Sequence, residues 1–209
     1  MAAVLTPLAV RTTRYNVSWE EFERLLADNS EGHARQAYYE GTLETTVSSQ
    51  AHEEPIEFLS GFIRFAAHEA RIEVRGIRST TIKRTDARKG FEPDGCYYIQ
   101  NASLVRGKRE IDFATAPPPD LVIEIDISRD SRIKLPLFAA LRIPEVWRYD
   151  GEVVHILTLS GDEYEPSPSR AFPGLDGQTL TRFVEDGPHL DSEEWTAGVC
   201  RWARDRLRR

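Results

Sequence analysis

An eight-residue run of alternating apolar and acidic residues, Asp120–Ile127, constrains the fold of this chain more than any other segment. Its branched apolar side chains and two-residue period predict a β-strand with leucine and isoleucine on one face. Val122, Glu124 and Asp126 share the other face, so the two acidic side chains are neighbours about 7 Å apart. The segment is apolar enough to lie in the middle of a sheet. In that environment like charges repel each other, and desolvation disfavours ionised carboxylates. A bound cation would relieve both effects, so the strand predicts one wall of a divalent-metal site.

Strands and helices alternate along most of the sequence, which predicts an α/β fold. Further strands are expected at 36–39, 42–47, 72–77, 80–83, 95–99, 145–149 and 153–159. Helices are expected at 18–28, 55–70, 131–142 and 192–208. The unit from 120 to 149 reads strand, helix, strand, so we expect at least one parallel pair of strands.

Local signals place the ends of several elements. Ser18 and Glu21 fit a capping box, and Pro55 is expected to open the long second helix. Glu40-Gly41 and Asp150-Gly151 predict hairpin turns. Pro136 should lie in the first turn of its helix. The stretches 101–119 and 165–177 are expected to be connections.

The length of 209 residues suits one domain spanning 1–209, with an N-terminal arm at 1–17 and a C-terminal helix at 191–209. No stretch approaches the roughly 18 apolar residues of a membrane span. The apolar start has no basic region or cleavage site, so we interpret it as an arm and not as a signal peptide. Cys96 and Cys200 give neither a disulfide framework nor zinc spacing, which makes the cytoplasm the default location.

The formal net charge of −7 argues against a protein whose whole surface binds nucleic acid. The charge is uneven, because the segment from Arg71 to Arg109 has ten basic and four acidic residues. Such a segment could bind a phosphate-bearing partner. A solvated loop region is an equal alternative, because these charges need not share a face.

Asp94, which follows Pro93 and precedes the predicted strand 95–99, is a second acidic candidate. Together with Glu124 and a strand carbonyl it would form an oxygen-only site of the kind that Mg²⁺ or Mn²⁺ prefers. A water in such a site could attack a phosphodiester. Lys134, on the helix after the acidic strand, could hold that water or stabilise charge on the phosphate.

The order of these motifs resembles the Uma2-type endonuclease family, the DUF820 proteins, within the PD-(D/E)XK nuclease superfamily. The matching segments are Glu-Pro-Asp at 92–94, Pro-Asp-Leu-Val-Ile-Glu-Ile at 119–125, the helix lysine, and Ile143–Gly151. The resemblance runs from about residue 38 to about residue 159, and on toward Phe172-Pro173. It implies a restriction-endonuclease-like core, with a central mixed β-sheet flanked by helices, and a metal-dependent phosphodiesterase site.

The resemblance also implies roles for individual residues. Asp94 corresponds to the motif aspartate, Glu124 to its second acid, and the carbonyl of Ile125 to a third metal ligand. The superfamily places lysine two residues after the glutamate, whereas this chain has Asp126. Lys134 matches the helix lysine of Uma2-like chains.

Three further site assignments follow from the same comparison of motifs. Asp126 could add negative charge for a second cation. Glu40 and His52 resemble the family's early acidic and histidine positions, and either could contact the metal-bound water.

Each of these residues also has a structural alternative. Glu124 could form a buried salt bridge with an arginine, Asp94 could cap a turn, and Lys134 could be an exposed helix lysine. Asp126 could be paired structurally, His52 could be a satisfied core group, and Glu40 could be solvated. Asp120 is expected to receive backbone N–H bonds, and Trp147 and Tyr149 are expected to pack in the core or at an edge.

We therefore favour a Mg²⁺- or Mn²⁺-dependent endonuclease acting on DNA. One alternative is a non-catalytic DNA- or protein-binding regulator on the nuclease fold, suggested by Asp126 and the net negative charge. Another is a metal-dependent hydrolase of a different phosphate ester. Duplex cleavage needs two sites or two nicks, so a homodimer is expected.

Overall fold

A computed structural model describes residues 10–29, 34–47, 49–127 and 133–207, which form two β-sheets and six helices. The strands are β1 Val10–Arg14, β2 Ala34–Tyr39, β3 Thr42–Val47, β4 Arg75–Gly76, β5 Ile82–Arg84, β6 Lys89–Phe91, β7 Gly95–Tyr98, β8 Leu121–Ile125, β9 Glu145–Tyr149, β10 Val154–Ser160 and β11 Glu163–Pro166. The helices are α1 Trp19–Asp28, α2 Gln50–Ala70, α3 Ala102–Val105, α4 Lys134–Ala140, α5 Gly177–Asp186 and α6 Ser192–Arg206.

The larger sheet has six strands in the order β11-β10-β9-β8-β7-β4 and is mixed. β8 and β9 run parallel, with Leu121 opposite Glu145, whereas β7 pairs with β8 antiparallel. The parallel pair predicted from the strand–helix–strand unit is therefore confirmed. The smaller sheet has the order β1-β3-β2-β6-β5, and its described pairings are antiparallel.

The two faces of β8 meet different layers, as its alternation predicts. Leu121, Ile123 and Ile125 lie in the core that contains apolar residues of α2, α5 and α6. Val122 points the other way, into a core built from α4 and the smaller sheet. The acidic face of β8 consequently lies between the two sheets, beside α4.

Helix α1 covers the outer face of the smaller sheet. Trp19 and Phe22 pack on Tyr38 and Leu43. Ser18 caps the helix by accepting the Glu21 N–H at 3.1 Å, which confirms half of the predicted capping box. The predicted β2–β3 hairpin is also present.

Helix α2 begins at Gln50, five residues before the expected start at Pro55. Pro55 therefore lies inside the helix, where its missing N–H costs one hydrogen bond. Burial of Ile56, Leu59 and Phe62 against the larger sheet offsets that cost. The early start puts His52 in the first turn of the helix.

Other differences concern short elements. The strand expected at 72–77 is reduced to the two residues of β4, and β6 was not predicted. The connection at 101–119 contains the short helix α3. The expected connection at 165–177 overlaps the end of β11 and the first residue of α5, two elements that the sequence did not predict. The start of α4 lies after residue 131, with Pro136 in its first turn as predicted, while residues 131 and 132 lie outside the described part. No described helix combines the length and apolar character that a bilayer crossing requires.

Candidate active site at the end of the β7–β8 ladder

Asp94 lies directly opposite Glu124 at the end of the β7–β8 ladder. Gly95 pairs with Ile123, so the register extended by one residue brings the two acidic residues together. Both side chains are buried. The fold therefore juxtaposes the two predicted metal ligands, which are 30 positions apart in the sequence.

Three groups surround the carboxylate of Asp94. Its Oδ2 accepts the backbone N–H of Ile125 at 2.8 Å and lies 3.4 Å from His52 Nε2. Its Oδ1 lies 3.1 Å from Arg35 Nε. Burial alone would raise the pKa of Asp94, but the contact with His52 and the charge of Lys134 lower it below its ordinary value. Asp94 is therefore ionised at neutral pH.

The two carboxylate oxygens of Glu124 differ in their surroundings. Its Oε2 contacts Nζ of Lys134, whereas its buried Oε1 has no hydrogen-bond partner among the described residues. Burial raises the pKa of Glu124 to about 8, although Lys134 opposes the shift. The site thus contains an acidic oxygen that is both desolvated and unsatisfied.

Lys134 is the first residue of α4, and its side chain is buried against the acidic face of β8. Burial lowers the pKa of Lys134, but the carboxylates of Glu124, Asp94 and Asp126 more than compensate and raise it overall. Lys134 is therefore a charged ammonium beside Glu124 and not an exposed helix lysine.

Asp126 is held by two arginines. Its Oδ1 contacts Arg11 of β1, and its Oδ2 accepts from Arg148 Nε at 3.1 Å. Burial would raise the pKa of Asp126, but Lys134 and Arg11 lower it overall. The structure thus places Asp126 in an ion pair that joins the two sheets.

His52 and Glu40 have different positions relative to the cluster formed by Asp94, Glu124, Asp126 and Lys134. His52 is buried, with Nε2 near Asp94 and Nδ1 3.7 Å from Glu53 Oε1. Glu40 lies in the β2–β3 turn with φ of 48°, followed by Gly41 with φ of 78°. Burial and the neighbouring Glu40 carboxylate raise the pKa of Tyr39. No described contact joins Glu40 to Asp94, Glu124 or Lys134.

The cluster opens into a pocket of about 90 Å³, which is large enough for several water molecules. Charged residues line one part and apolar residues of α4 and β9 line another. The lining residues are Glu124, Asp126, Lys134, Leu135, Phe138, Val146 and Arg148.

Sequence reasoning missed four buried or half-buried charged residues near this pocket. Arg11, Arg35 and Glu44 come from the smaller sheet, and Arg148 comes from β9. Glu44 had a signal, because Thr42, Glu44 and Thr46 form a polar row along β3. The three arginines had no such signal in the sequence, because their partners depend on how the sheets pack.

The donors for a metal ion are few. Within 10–29, 34–47, 49–127 and 133–207, no group of three or more His, Cys, Asp or Glu side chains is arranged to hold one. The backbone can add a ligand, because a strand residue directs its N–H and C=O to the same neighbour. The N–H of Ile125 bonds to Asp94, so its carbonyl faces the same side of β8. Two carboxylates and this carbonyl make a hard-oxygen set that suits Mg²⁺ or Mn²⁺.

Comparison with solved structures gives the same architecture. A crystal structure of a "putative nuclease belonging to DUF820" from Anabaena variabilis ATCC 29413 is similar with a TM-score of 0.57 and 20% identity. The alignment covers 80% of this chain and 99% of that chain. This similarity confirms the predicted fold class. No curated protein matches the chain significantly.

The family comparison covers most of the sequence. The Uma2 family model, described as "Putative restriction endonuclease", matches residues 19–192. The resemblance inferred from the motifs is therefore confirmed, and the chain belongs to the Uma2 family.

Proposed function

We propose that this protein is a metal-dependent endonuclease that hydrolyses DNA phosphodiester bonds at the Asp94–Glu124 site. One observation carries the proposal: Glu124 is buried opposite another carboxylate, and one of its oxygens has no hydrogen-bond partner within the described part of the chain. Leaving a buried polar group unsatisfied is costly, so a carboxyl group of this kind marks a candidate binding or reactive site. Membership of a family described as "Putative restriction endonuclease" supports the same interpretation.

Two other buried acids in the chain show what a structural carboxylate looks like here. Asp120 accepts the backbone N–H groups of Ile99 and Asn101, at 2.7 and 2.9 Å, as the sequence predicted. Glu145 accepts from the indole N–H of Trp147 and from the backbone N–H of Arg170, both at 2.6 Å. Both oxygens of each residue have partners. Glu124 departs from that pattern.

A divalent cation fits this set of donors. Asp94, Glu124 and the Ile125 carbonyl would hold it, and Mg²⁺ commonly keeps several waters beside so few protein ligands. When bound, the ion would supply a Lewis acid for the phosphate and a more acidic water. It would also neutralise the repulsion between the two carboxylates.

The remaining residues of the site fix these groups and supply positive charge. His52 and Arg35 keep Asp94 in place and ionised. Lys134, held by Glu124, would orient the attacking water or stabilise the charge that develops on the phosphate. Its position on α4 lets it replace the lysine that the superfamily motif has two residues after the glutamate.

A non-catalytic DNA- or protein-binding role is the second candidate. It is favoured by Asp126, which stands at the lysine position and is already paired with Arg11 and Arg148. In that case the protein would bind a partner without cutting it.

Cleavage of supercoiled plasmid and labelled duplex with Mg²⁺ or Mn²⁺ tests the proposal. We expect nicking by the parent and loss of nicking in Glu124→Gln. The matched control is Glu73→Gln, which makes the same change in an exposed ion pair with Arg106. A parent that binds DNA but never nicks it supports the second candidate. A Glu124→Gln variant as active as the parent excludes this site.

A further inference from the structure

Asp126 and its two arginines together carry positive charge at the place where the superfamily motif has lysine. Arg11 contacts Oδ1, and Nε of Arg148 donates to Oδ2. Two guanidinium groups on one carboxylate leave one net positive charge. The net charge at this place is therefore positive, like that of the motif lysine, although Asp126 itself is negative.

The two arginines differ in what they can reach. Arg148 is the register partner of Glu124 on the parallel strand β9, so both side chains emerge on the same face. Its side chain is 20% exposed and lines the pocket beside Glu124 and Lys134. Arg11 is 7% exposed and is not among the residues that line this pocket.

The pocket itself suits an anion despite its two acids. Each acid of the lining is paired with a basic group of the lining, Glu124 with Lys134 and Asp126 with Arg148, and Arg11, which does not line the pocket, adds a further positive charge on Asp126. Leu135, Phe138 and Val146 form the apolar part of the wall, which lowers the local dielectric and strengthens charge interactions. A planar guanidinium binds phosphate oxygens through paired N–H groups.

We propose that Arg148 binds a phosphate group of the substrate backbone in this pocket, with Asp126 as the positioning residue that orients its guanidinium. Arg11, which lies before the segment matched by the family model, supports Asp126 from the smaller sheet. The identity of the substrate as DNA rests on the proposed function. The phosphate subsite does not, and it can be tested separately.

Salt dependence of DNA binding tests the contact directly. Fluorescence anisotropy with a labelled duplex, in Ca²⁺ to avoid turnover, gives the slope of log affinity against log salt. Each phosphate contact contributes about −0.9 to that slope for duplex DNA, so Arg148→Ala should reduce its magnitude by about 1. Arg148→Lys should keep the slope but weaken binding, because lysine keeps the positive charge but lacks the paired N–H donors of the guanidinium group. The control Arg204→Ala, whose exposed side chain on α6 lies 3.8 Å from Glu69 of α2, should match the parent.

A second probe separates this subsite from the nuclease proposal. Inorganic phosphate should raise the melting temperature of the parent and of Arg204→Ala, but not that of Arg148→Ala. If phosphate acts in this way while DNA is never cut, the endonuclease proposal fails and the subsite stands. If DNA is cut but Arg148→Ala changes neither the slope nor the phosphate effect, the subsite is wrong.

The positioning role of Asp126 needs its own measurement. In ¹H–¹⁵N spectra the Nε–H of Arg148 should be protected from exchange and should shift as phosphate is added. In Asp126→Asn we expect that protection to be lost and phosphate affinity to fall. An unchanged resonance with parental affinity would exclude the positioning role, since a purely structural loss would lower stability only.

Discussion

Oδ2 of Asp94 accepts the backbone N–H of Ile125 at 2.8 Å, so a side chain continues the β7–β8 ladder one step beyond its last backbone pair. This bond fixes Asp94 against the strand that carries Glu124. It also makes the aspartate both a structural acceptor and a candidate ligand.

Asp94→Asn should separate those two roles. The amide keeps an oxygen for the Ile125 N–H but lacks the charge, so we expect a melting temperature close to the parent's and at least a hundredfold loss of cleavage, about the effect of losing one strong electrostatic group. Asp94→Ala should also lower the free energy of unfolding by about 1–3 kcal/mol, because a buried N–H loses its acceptor. Urea denaturation and plasmid nicking measure the two effects. Full activity in Asp94→Asn would contradict the ligand assignment.

Lys134→Met should remove the charge beside Glu124 while keeping most of the side-chain volume. We expect single-turnover cleavage to fall by about 10²–10³, the effect of removing one group that stabilises developing charge. Lys83→Met is the control, since Lys83 is not a residue of the site. Its Nζ lies 2.8 Å from Oε1 of Glu23. Equal rates in the parent and in Lys134→Met would show that the helix lysine does not replace the motif lysine.

Metal binding should release a proton and strengthen as the pH rises. The pKa of Glu124 is raised to about 8, so the metal-free protein carries it protonated at pH 6 and ionised at pH 9. A cation must displace that proton, and apparent Mn²⁺ affinity should rise up to about tenfold per pH unit below pH 8, then level off. Calorimetry in two buffers of different ionisation enthalpy measures the released proton. A pH-independent affinity would mean that Glu124 is not a ligand.

Asp120→Ala should affect stability but not chemistry. The substitution leaves the N–H groups of Ile99 and Asn101 and the Asn101 side-chain amide without their acceptor, at a cost of about 3 kcal/mol. The cleavage rate per folded molecule should equal that of the parent. A selective loss of activity at full stability would place Asp120 in the site and not in the framework.

Much of the fold follows from local patterns in the sequence. The alternation in β8, the Glu40-Gly41 hairpin and the Ser18 cap depend on neighbouring residues, and each is present in the structure. The start of α2 was misplaced because burial of its apolar face outweighs the propensity of Pro55. Helix α5 was missed although Asp176 caps it, because its flanking residues favour a loop.

The site was only partly accessible to the same reasoning. Asp94, Glu124 and Lys134 follow a recognisable order of motifs, whereas Arg11, Arg35 and Arg148 acquire their partners through the packing of sheets and strands. The catalytic and metal-binding roles, the single domain, the homodimer and the cytoplasmic location stay predictions.

Arg11 and Arg35 belong to the smaller sheet, whereas their acidic partners lie at the larger sheet. This arrangement has a consequence for folding. Both sheets hold Asp94 and Asp126, because each acid has one partner from the larger sheet and an arginine from the smaller one. These contacts span 115 residues in one case, so they form only when the long-range topology is complete. A newly made or partly unfolded chain would therefore lack the Arg11 and Arg35 contacts, and the full set of charges around the site would be assembled only after the two layers have docked.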